Sequence, residues 1–464
     1  MIRLFGYYVS KIYLYLGLVE ATVFFLSLHL GTRLRFGWNL DDSLEGSGVF
    51  MTAIVFAVVM SGALVALGLY QRGVQEQEAG FVVRLGLGFL LGMAMLTIVF
   101  YLVPAVFIGR GVIGLSLVFS FAGVILVREV FTRFSSDEAR KRRVLVLGAG
   151  INAHNIEDLL TNDPGLGFVV VGYVPLPKSH RLVPADKLIE GDESLVDIAI
   201  EREIDEIVVA ADDRRRKLPV NDLLDCKMSG FEVLDLLTFF EKELALVKID
   251  LLHPSWIFFS PGFQMGVTGL YGKRLFDLAV GLLMLLFTAP LMLLIAIASL
   301  IESGGRDPIL YHQVRVGQNG KLFRLHKFRS MRADAEADGV ARWASQRDPR
   351  ITPLGALLRK ARLDELPQIF NVLKGQMSLV GPRPERPEFV DQLGASIPYY
   401  SERHRVKPGV TGWAQLLYPY GSGEQDAKRK LEYDLYYVKH AGIVLDMVIL
   451  LQTVEVVLLG KGAR

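Results

Sequence analysis

The chain has 464 residues, 51% of them hydrophobic, and a formal net charge of +2. That length is enough for about three domains, the apolar share points to membrane segments, and so small a net charge carries no sign of a nucleic-acid partner. The single cysteine, Cys226, excludes an internal disulfide framework and a cysteine-cluster zinc site, and the eight histidines supply no His-x-x-x-His pair on a plausible helix.

Four apolar stretches come first, at roughly residues 13–30, 49–70, 82–103 and 105–127. Each is near the ~20 residues that a spanning helix needs. The first lacks the short apolar core and small-residue cleavage site of a signal peptide. Asp41, Asp42 and Glu45 stand beside Arg33 and Arg35 between the first two, whereas Arg128, Arg133, Arg140, Lys141, Arg142 and Arg143 follow the fourth. Basic loops stay in the cytoplasm, so four transmembrane helices within residues 1–135 put both ends of this block inside the cell.

Residues 140–252 change character. Val144-Leu145-Val146-Leu147 reads as a buried strand, and further strands are expected at residues 168–174, 206–211 and 232–237, with helical stretches between. This alternation predicts a parallel, doubly wound, Rossmann-like α/β domain. Gly148, Gly150 and Ala153 match G-x-G-x-x-A, the phosphate-binding turn of dinucleotide folds. The second strand ends in Tyr173-Val174-Pro175, with no acid for a ribose, so a structural glycine turn without a cofactor is the favoured reading.

Residues 253–272 read as a Pro/Gly/aromatic linker. An apolar run at about 275–301 follows Lys273-Arg274, with Asp277 near its start and Pro290 near its middle. Arg306, Arg315, Lys321, Arg324 and Lys327 follow it. Basic flanks at both ends want both ends in the cytoplasm, and a central proline removes a hydrogen bond and kinks a helix. The expectation is a hairpin-like re-entrant helix, with Asp277 at the membrane interface among the flanking bases. The tail at residues 443–460 is apolar but carries Asp446, Gln452 and Glu455, which suits an interfacial amphipathic helix.

Between these lies Arg362-Leu363-Asp364-Glu365-Leu366-Pro367-Gln368, followed by a short helix closed by Gly375. Proline belongs to the first turn of a helix, so Asp364 is expected at or next to the N-cap, where partial positive charge steadies a carboxylate or an incoming phosphate. Upstream, strand alternation puts Lys327, Arg329 and Met331 on one face. Downstream, Gly381-Pro382-Arg383-Pro384-Glu385-Arg386-Pro387 forms a stiff loop that grips a charged ligand at little ordering entropy. One carboxylate of an adjacent Asp-Glu pair can attack phosphorus while the other binds a divalent cation or handles a proton. Mg²⁺ is the natural partner for such oxygen ligands and substrate phosphates.

Lys273-Arg274 through the Pro290 segment, Lys327-Phe328-Arg329-Ser330-Met331, Leu363 to Gln368, Gly381 to Glu385 and Pro408-Gly409-Val410-Thr411-Gly412-Trp413 together resemble the bacterial sugar transferases, or monotopic phosphoglycosyl transferases. The resemblance covers residues 272–464. The four apolar stretches and the α/β middle are similar to the long, undecaprenyl-phosphate glucose phosphotransferase-like members, and residues 248–263 to exosortase-associated exopolysaccharide enzymes. The resemblance implies an α+β catalytic domain over residues 273–464 at the inner membrane. It also implies transfer of a sugar-1-phosphate from a UDP-sugar to undecaprenyl phosphate, with release of UMP. By position it makes Asp364 the nucleophile and Glu365 its partner, with both holding Mg²⁺. It matches Arg383, Pro384 and Glu385 to the segment that binds phosphate and substrate, and Asp434 to an acid of the site. With Lys327 and Arg329, cations of the strand suited to phosphate, and with Arg362, Gln368 and Arg386 beside the motifs, these make up the expected substrate- and phosphate-binding set. A homodimer facing the cytoplasm is the expected assembly. The chain departs from the family in carrying Ala289-Pro290 where a Ser-Pro pair often breaks the helix. Two alternatives stand beside this reading: a membrane-anchored NAD-dependent nucleotide-sugar dehydratase or epimerase, and a non-enzymatic polysaccharide-assembly protein. Against the first, no Tyr-x-x-x-Lys pair occurs from Arg143 onward.

Overall fold

The computed structural model describes residues 2–4, 7–9, 11–37, 47–70, 78–107, 109–134, 141–163, 165–177, 180–191, 193–212, 218–263, 266–332, 350–418, 421 and 423–458. Asp41, Asp42, Glu45 and Arg140 lie outside them. The chain forms two compact units, Met1–Phe121 with Leu252–Arg464, and Ala122–Leu251.

The first unit opens with a small antiparallel hairpin, β1 (Ile2–Leu4) and β2 (Tyr7–Val9). The helices α1 (Lys11–Phe36), α2 (Ser47–Ala66), α3 (Glu78–Leu102) and the first half of α4 (Arg110–Phe134) follow, and each of the four helices holds a segment long and apolar enough to cross a membrane. The fourth begins later than residue 105 because Pro104 starts a separate 3₁₀ turn, Pro104–Val106. Gly31 lets α1 approach α4: a Cβ there would lie 2.6 Å from Ser116 Oγ. Glu20, an acid in the first apolar stretch, is buried and accepts a hydrogen bond from the Tyr70 hydroxyl.

The second unit holds β3 (Arg142–Leu147), α5 (Ile151–Asn162), β4 (Phe168–Val174), α6 (Leu195–Glu201), β5 (Glu206–Val209), α7 (Val220–Met228), β6 (Glu232–Asp235) and α8 (Leu236–Leu244). The sheet order is β4-β3-β5-β6 and every pairing is parallel. This is the doubly wound arrangement read from the alternation. The fourth strand stops short of residue 237 because the Asp235 carboxylate accepts from the Leu237 and Thr238 amides, at 3.0 and 3.1 Å, and starts a helix. Arg142, counted among the basic residues after the fourth apolar stretch, is instead absorbed into the fold, paired with buried Glu206 and Glu243.

The remainder of the first unit begins with α9 (Pro254–Phe259) and α10 (Val267–Ser303), so much of the expected linker is helical. Then come β7 (Leu310–Val316), β8 (Leu322–Phe328), α11 (Pro353–Lys360), α12 (Gln368–Leu373), β9 (Ser378–Val380), α13 (Pro387–Ser396), β10 (Gly409–Thr411), α14 (Trp413–Leu417), α15 (Glu424–His440) and α16 (Ile443–Leu458). β7 and β8 form an antiparallel hairpin and β9 pairs with β10 in parallel.

The assigned helix of α10 runs unbroken past Pro290. Thr288, two residues earlier, donates its hydroxyl to the Met284 carbonyl at 2.8 Å. Asp277 is not left among the flanking bases but is taken up by protein partners. It is buried, and its Oδ1 accepts from the Ser378 hydroxyl at 2.9 Å and the Leu379 amide at 3.1 Å, fastening β9 to the helix. In the tail, likewise, the polar residues turn inward rather than to a polar face. α16 packs on α2 and on α10, and its polar residues Asp446 and Gln452 point inward. Asp446 is paired with Lys273 and accepts from the Tyr437 hydroxyl at 2.7 Å, so an acid in an apolar helix is neutralised inside the protein rather than at a surface.

Candidate active site

Leu363–Glu365 forms a single 3₁₀ turn, entered through Arg362 in a left-handed conformation at φ +54°. A non-glycine residue is held there only where its surroundings over-determine it. Helix α12 begins four residues beyond the pair's first member, after Pro367, so Asp364 is not its N-cap. The tight turn spends those residues, and Pro367 takes the capping position at φ −65°. The other end is as expected: Gly375, at φ +78°, donates to the Val372 carbonyl at 2.9 Å and Gln376 to Asn371 at 3.0 Å, the two bonds of a Schellman closure.

The two carboxylates of the turn meet opposite surroundings. Glu365 Oε1 accepts from Lys327 Nζ at 2.8 Å and from Arg383 Nη2 at 3.0 Å. Burial by itself would push this acid up, but Lys327 and Arg383 outweigh it and hold the carboxyl well below the usual range. Asp364 is only 8% exposed and, among the described residues, its carboxylate has no hydrogen-bond or ion-pair partner. Burial raises its pKa, Lys327 offsets part of that, and the Glu365 charge adds to it. Lys327 reaches the pair because Phe328, the next residue of β8, is locked in a core with Met292, Ile295 and Leu358.

The rest of the expected set divides. The Gly-Pro-Arg-Pro loop is tied to β7: Arg315 Nη1 donates to the Pro384 carbonyl at 3.1 Å and lies 3.5 Å from Glu385, and the Val316 amide donates to the Glu385 carbonyl at 3.0 Å. Arg386 turns to Glu388, at 3.5 Å. Gln368 is the buried first residue of α12. Arg329 lies beyond the end of β8 and is not brought to the pair. It joins Asp307 at 2.8 Å and the Pro308 carbonyl at 3.1 Å, closing the turn after α10. Asp434 is buried and does not face the pair either; it grips Arg403 at 2.7 Å, and Arg403 donates in turn to the Arg383 carbonyl at 3.1 Å. Asp434 therefore acts through Arg403 on the backbone that aims Arg383.

Three arginines were not expected at this site, Arg315 having counted only as a basic flank of the apolar run. Arg315 and Arg403 brace the loop, as described above. Arg359, from the end of α11, lowers the Asp364 carboxyl in opposition to burial, and among the described residues its buried Nη1 has no acceptor. A buried guanidinium nitrogen with no acceptor suits an anionic ligand. The sole sequence signal was its place five residues before Asp364.

Residues 268–460 match a family model described as Bacterial sugar transferase, and residues 65–216 one described as CoA-binding domain. The UDP-glucose:undecaprenyl-phosphate glucose-1-phosphate transferase of Escherichia coli (strain K12) is 34% identical over 328 residues, 70% of this chain and 69% of that protein. The UDP-N-acetylgalactosamine-undecaprenyl-phosphate N-acetylgalactosaminephosphotransferase of Aeromonas hydrophila is 40% identical over 247 residues, and the match spans 56% of its length. The Exopolysaccharide production protein PSS of Rhizobium leguminosarum bv. phaseoli is 42% identical over 200 residues, 41% of this chain and 97% of that one.

Proposed function

This chain belongs to the bacterial sugar transferases, in their long form, and on that premise we propose that it moves a sugar-1-phosphate from a UDP-sugar to undecaprenyl phosphate, releasing UMP, by way of a covalent intermediate on Asp364. The observation that carries the two-step route is the asymmetry of the pair. Glu365 is fixed by two cations, whereas Asp364 is a buried carboxylate that no described neighbour satisfies.

In the first step an Asp364 oxygen forms a bond to the sugar-bearing phosphorus as the pyrophosphate P–O bond to UMP breaks. In the second, an oxygen of undecaprenyl phosphate attacks that phosphorus and the Asp364 carboxylate departs, leaving the sugar on a lipid pyrophosphate. Lys327 and Arg383 keep Glu365 ionised and stand ready to share their charge with the substrate phosphates. Among the described residues no cluster of three or more acid, histidine or cysteine side chains offers a complete cation cage. Two hard-oxygen carboxylates nevertheless suit Mg²⁺, which takes the rest of its ligands from water and substrate. Bound by Asp364 and Glu365, it would offset pyrophosphate charge.

The same reading places the catalytic domain on the cytoplasmic face, with α10 re-entrant. Its support is that both halves of α10 hold the same domain. Near the start, Arg274 donates to the Val372 and Leu373 carbonyls, at 2.7 Å each, and Asp277 holds β9. Near the end, Met292 and Ile295 pack on Phe328 and Leu358, and Glu302 accepts from the Leu354 amide at 2.9 Å. A straight helix of that length would run about 55 Å against a hydrocarbon core of about 30 Å; one that crossed would carry its far half away from this domain. Leu282, Leu286 and Phe287 remain exposed on the other side, as lipid contact requires.

The test is Asp364→Asn, with UMP release and intact mass measured together on UDP-sugar and polyprenyl phosphate. The variant should fold, lose at least 1,000-fold in turnover, and take up no phospho-sugar, whereas the wild-type protein incubated without lipid acceptor gains one on the peptide holding Asp364. Near-normal turnover in the variant would remove Asp364 from the nucleophile's role.

A further inference from the structure

One of the two family models matched by this chain is described as a CoA-binding domain. In a doubly wound sheet a phosphate ligand sits where the strand order reverses, against the N-terminus of the first helix. Here that place lies between the ends of β3 and β5, at the glycine turn before α5.

The described residues do not fit such a ligand. The Asp212 carboxylate, from the segment after β5, already holds the amides that a phosphate would use. Its Oδ1 accepts from the Asn152 amide at 2.8 Å and its Oδ2 from the Ile151 amide at 3.2 Å. A Cβ on Gly150 would lie 1.8 Å from Oδ2, so this glycine is open for the chain's own carboxylate. The two sides of the crevice are stitched together behind it. Gly148, at φ +129°, sits so close that a Cβ would lie 2.6 Å from the Ala210 carbonyl. The Ala210 amide donates to the Leu147 carbonyl at 2.9 Å, and Asn152 Nδ2 to the Ala211 carbonyl at 2.9 Å. A further segment crosses the turn, with the Leu182 amide donating to the Ala149 carbonyl at 2.8 Å. Beside it Ile189 fills the space over Gly172 of β4, where a Cβ would lie 2.3 Å from Ile189 Cδ1.

We infer that the glycine turn of the α/β domain is sealed by Asp212 and takes no coenzyme A, dinucleotide or other phosphate ligand. A phosphate entering this turn would need the Ile151 and Asn152 amides, and would set a second negative charge where a carboxylate already stands. The glycine signature here serves a joint between the two halves of the sheet. The inference is independent of the chemistry assigned to Asp364.

Hydrogen exchange on the full-length protein in lipid nanodiscs tests this at the peptide covering residues 147–156. Millimolar coenzyme A or NADH should leave its exchange unchanged, and slowing by either would overturn the inference. Asp212→Ala should speed exchange of the same peptide about tenfold, through loss of a charged cap. Asp212→Asn, which keeps one acceptor oxygen, should fall between. Unchanged exchange in Asp212→Ala would also overturn it, because the carboxylate would then hold nothing.

Discussion

Asp364 and Glu365 share a peptide bond and little else. Burial raises the first, while two cations depress the second despite its burial. In the proposed route only the ionised Asp364 attacks, so kcat/KM is lost as pH falls through a pKa raised above the usual aspartate value. Its acid limb should therefore lie above that value. Removing the neighbouring negative charge in Glu365→Gln should move the limb to lower pH and cut kcat about 100-fold or more. Removing the positive charge in Lys327→Met should move it to higher pH. pH–rate profiles of the three proteins check this, and shifts in the reverse order would contradict it. The motif residues of this site were legible from local spacing. Arg315, Arg359 and Arg403 were not, because a long cationic side chain finds its partner across the fold, and spacing along the chain says nothing of that. Asp434 shows the converse: position marked it as an acid of the site, whereas burial with Arg403 makes it a support for the loop.

The secondary-structure elements followed their patterns, and the departures trace to polar residues. Asp277 and Asp446 sit in apolar helices, where sequence reasoning sends an acid to the membrane interface. Instead Asp277 holds the Ser378 hydroxyl and the Leu379 amide, and Asp446 holds Lys273. The catalytic region thereby clamps α10 on one side and α16 on the other. Asp277→Ala would leave two buried groups of β9 without a partner and is expected to cost about 2–4 kcal/mol, read as a lower denaturation midpoint in detergent. Asp277→Asn keeps an acceptor oxygen and should lose less than half of that. Equal losses in the two variants would mean that the site needs the charge rather than the hydrogen bonds.

At the scale of the molecule, the proposed path of α10 makes a topological demand. Tyr271, before the central stretch, and Arg306, just after the helix, are both exposed. The lone Cys226 is buried, which gives a quiet background for thiol labelling. Tyr271→Cys and Arg306→Cys should both react with an impermeant maleimide in inside-out vesicles and neither in right-side-out ones. Labelling of the two from opposite sides would make α10 a span. The amino-acid sequence by itself determined the apolar stretches, the parallel α/β alternation and the acidic doublet with its stiff downstream loop, because hydropathy, period and proline chemistry act over a few neighbouring residues. Only the tertiary structure decided which cations hold Glu365, that Asp364 stands apart, and that Asp212 fills the glycine turn. Each of these depends on a side chain delivered from a distant element into a low-dielectric interior, where an unpaired charge is costly and a partner at about 3 Å changes which form of an acid persists.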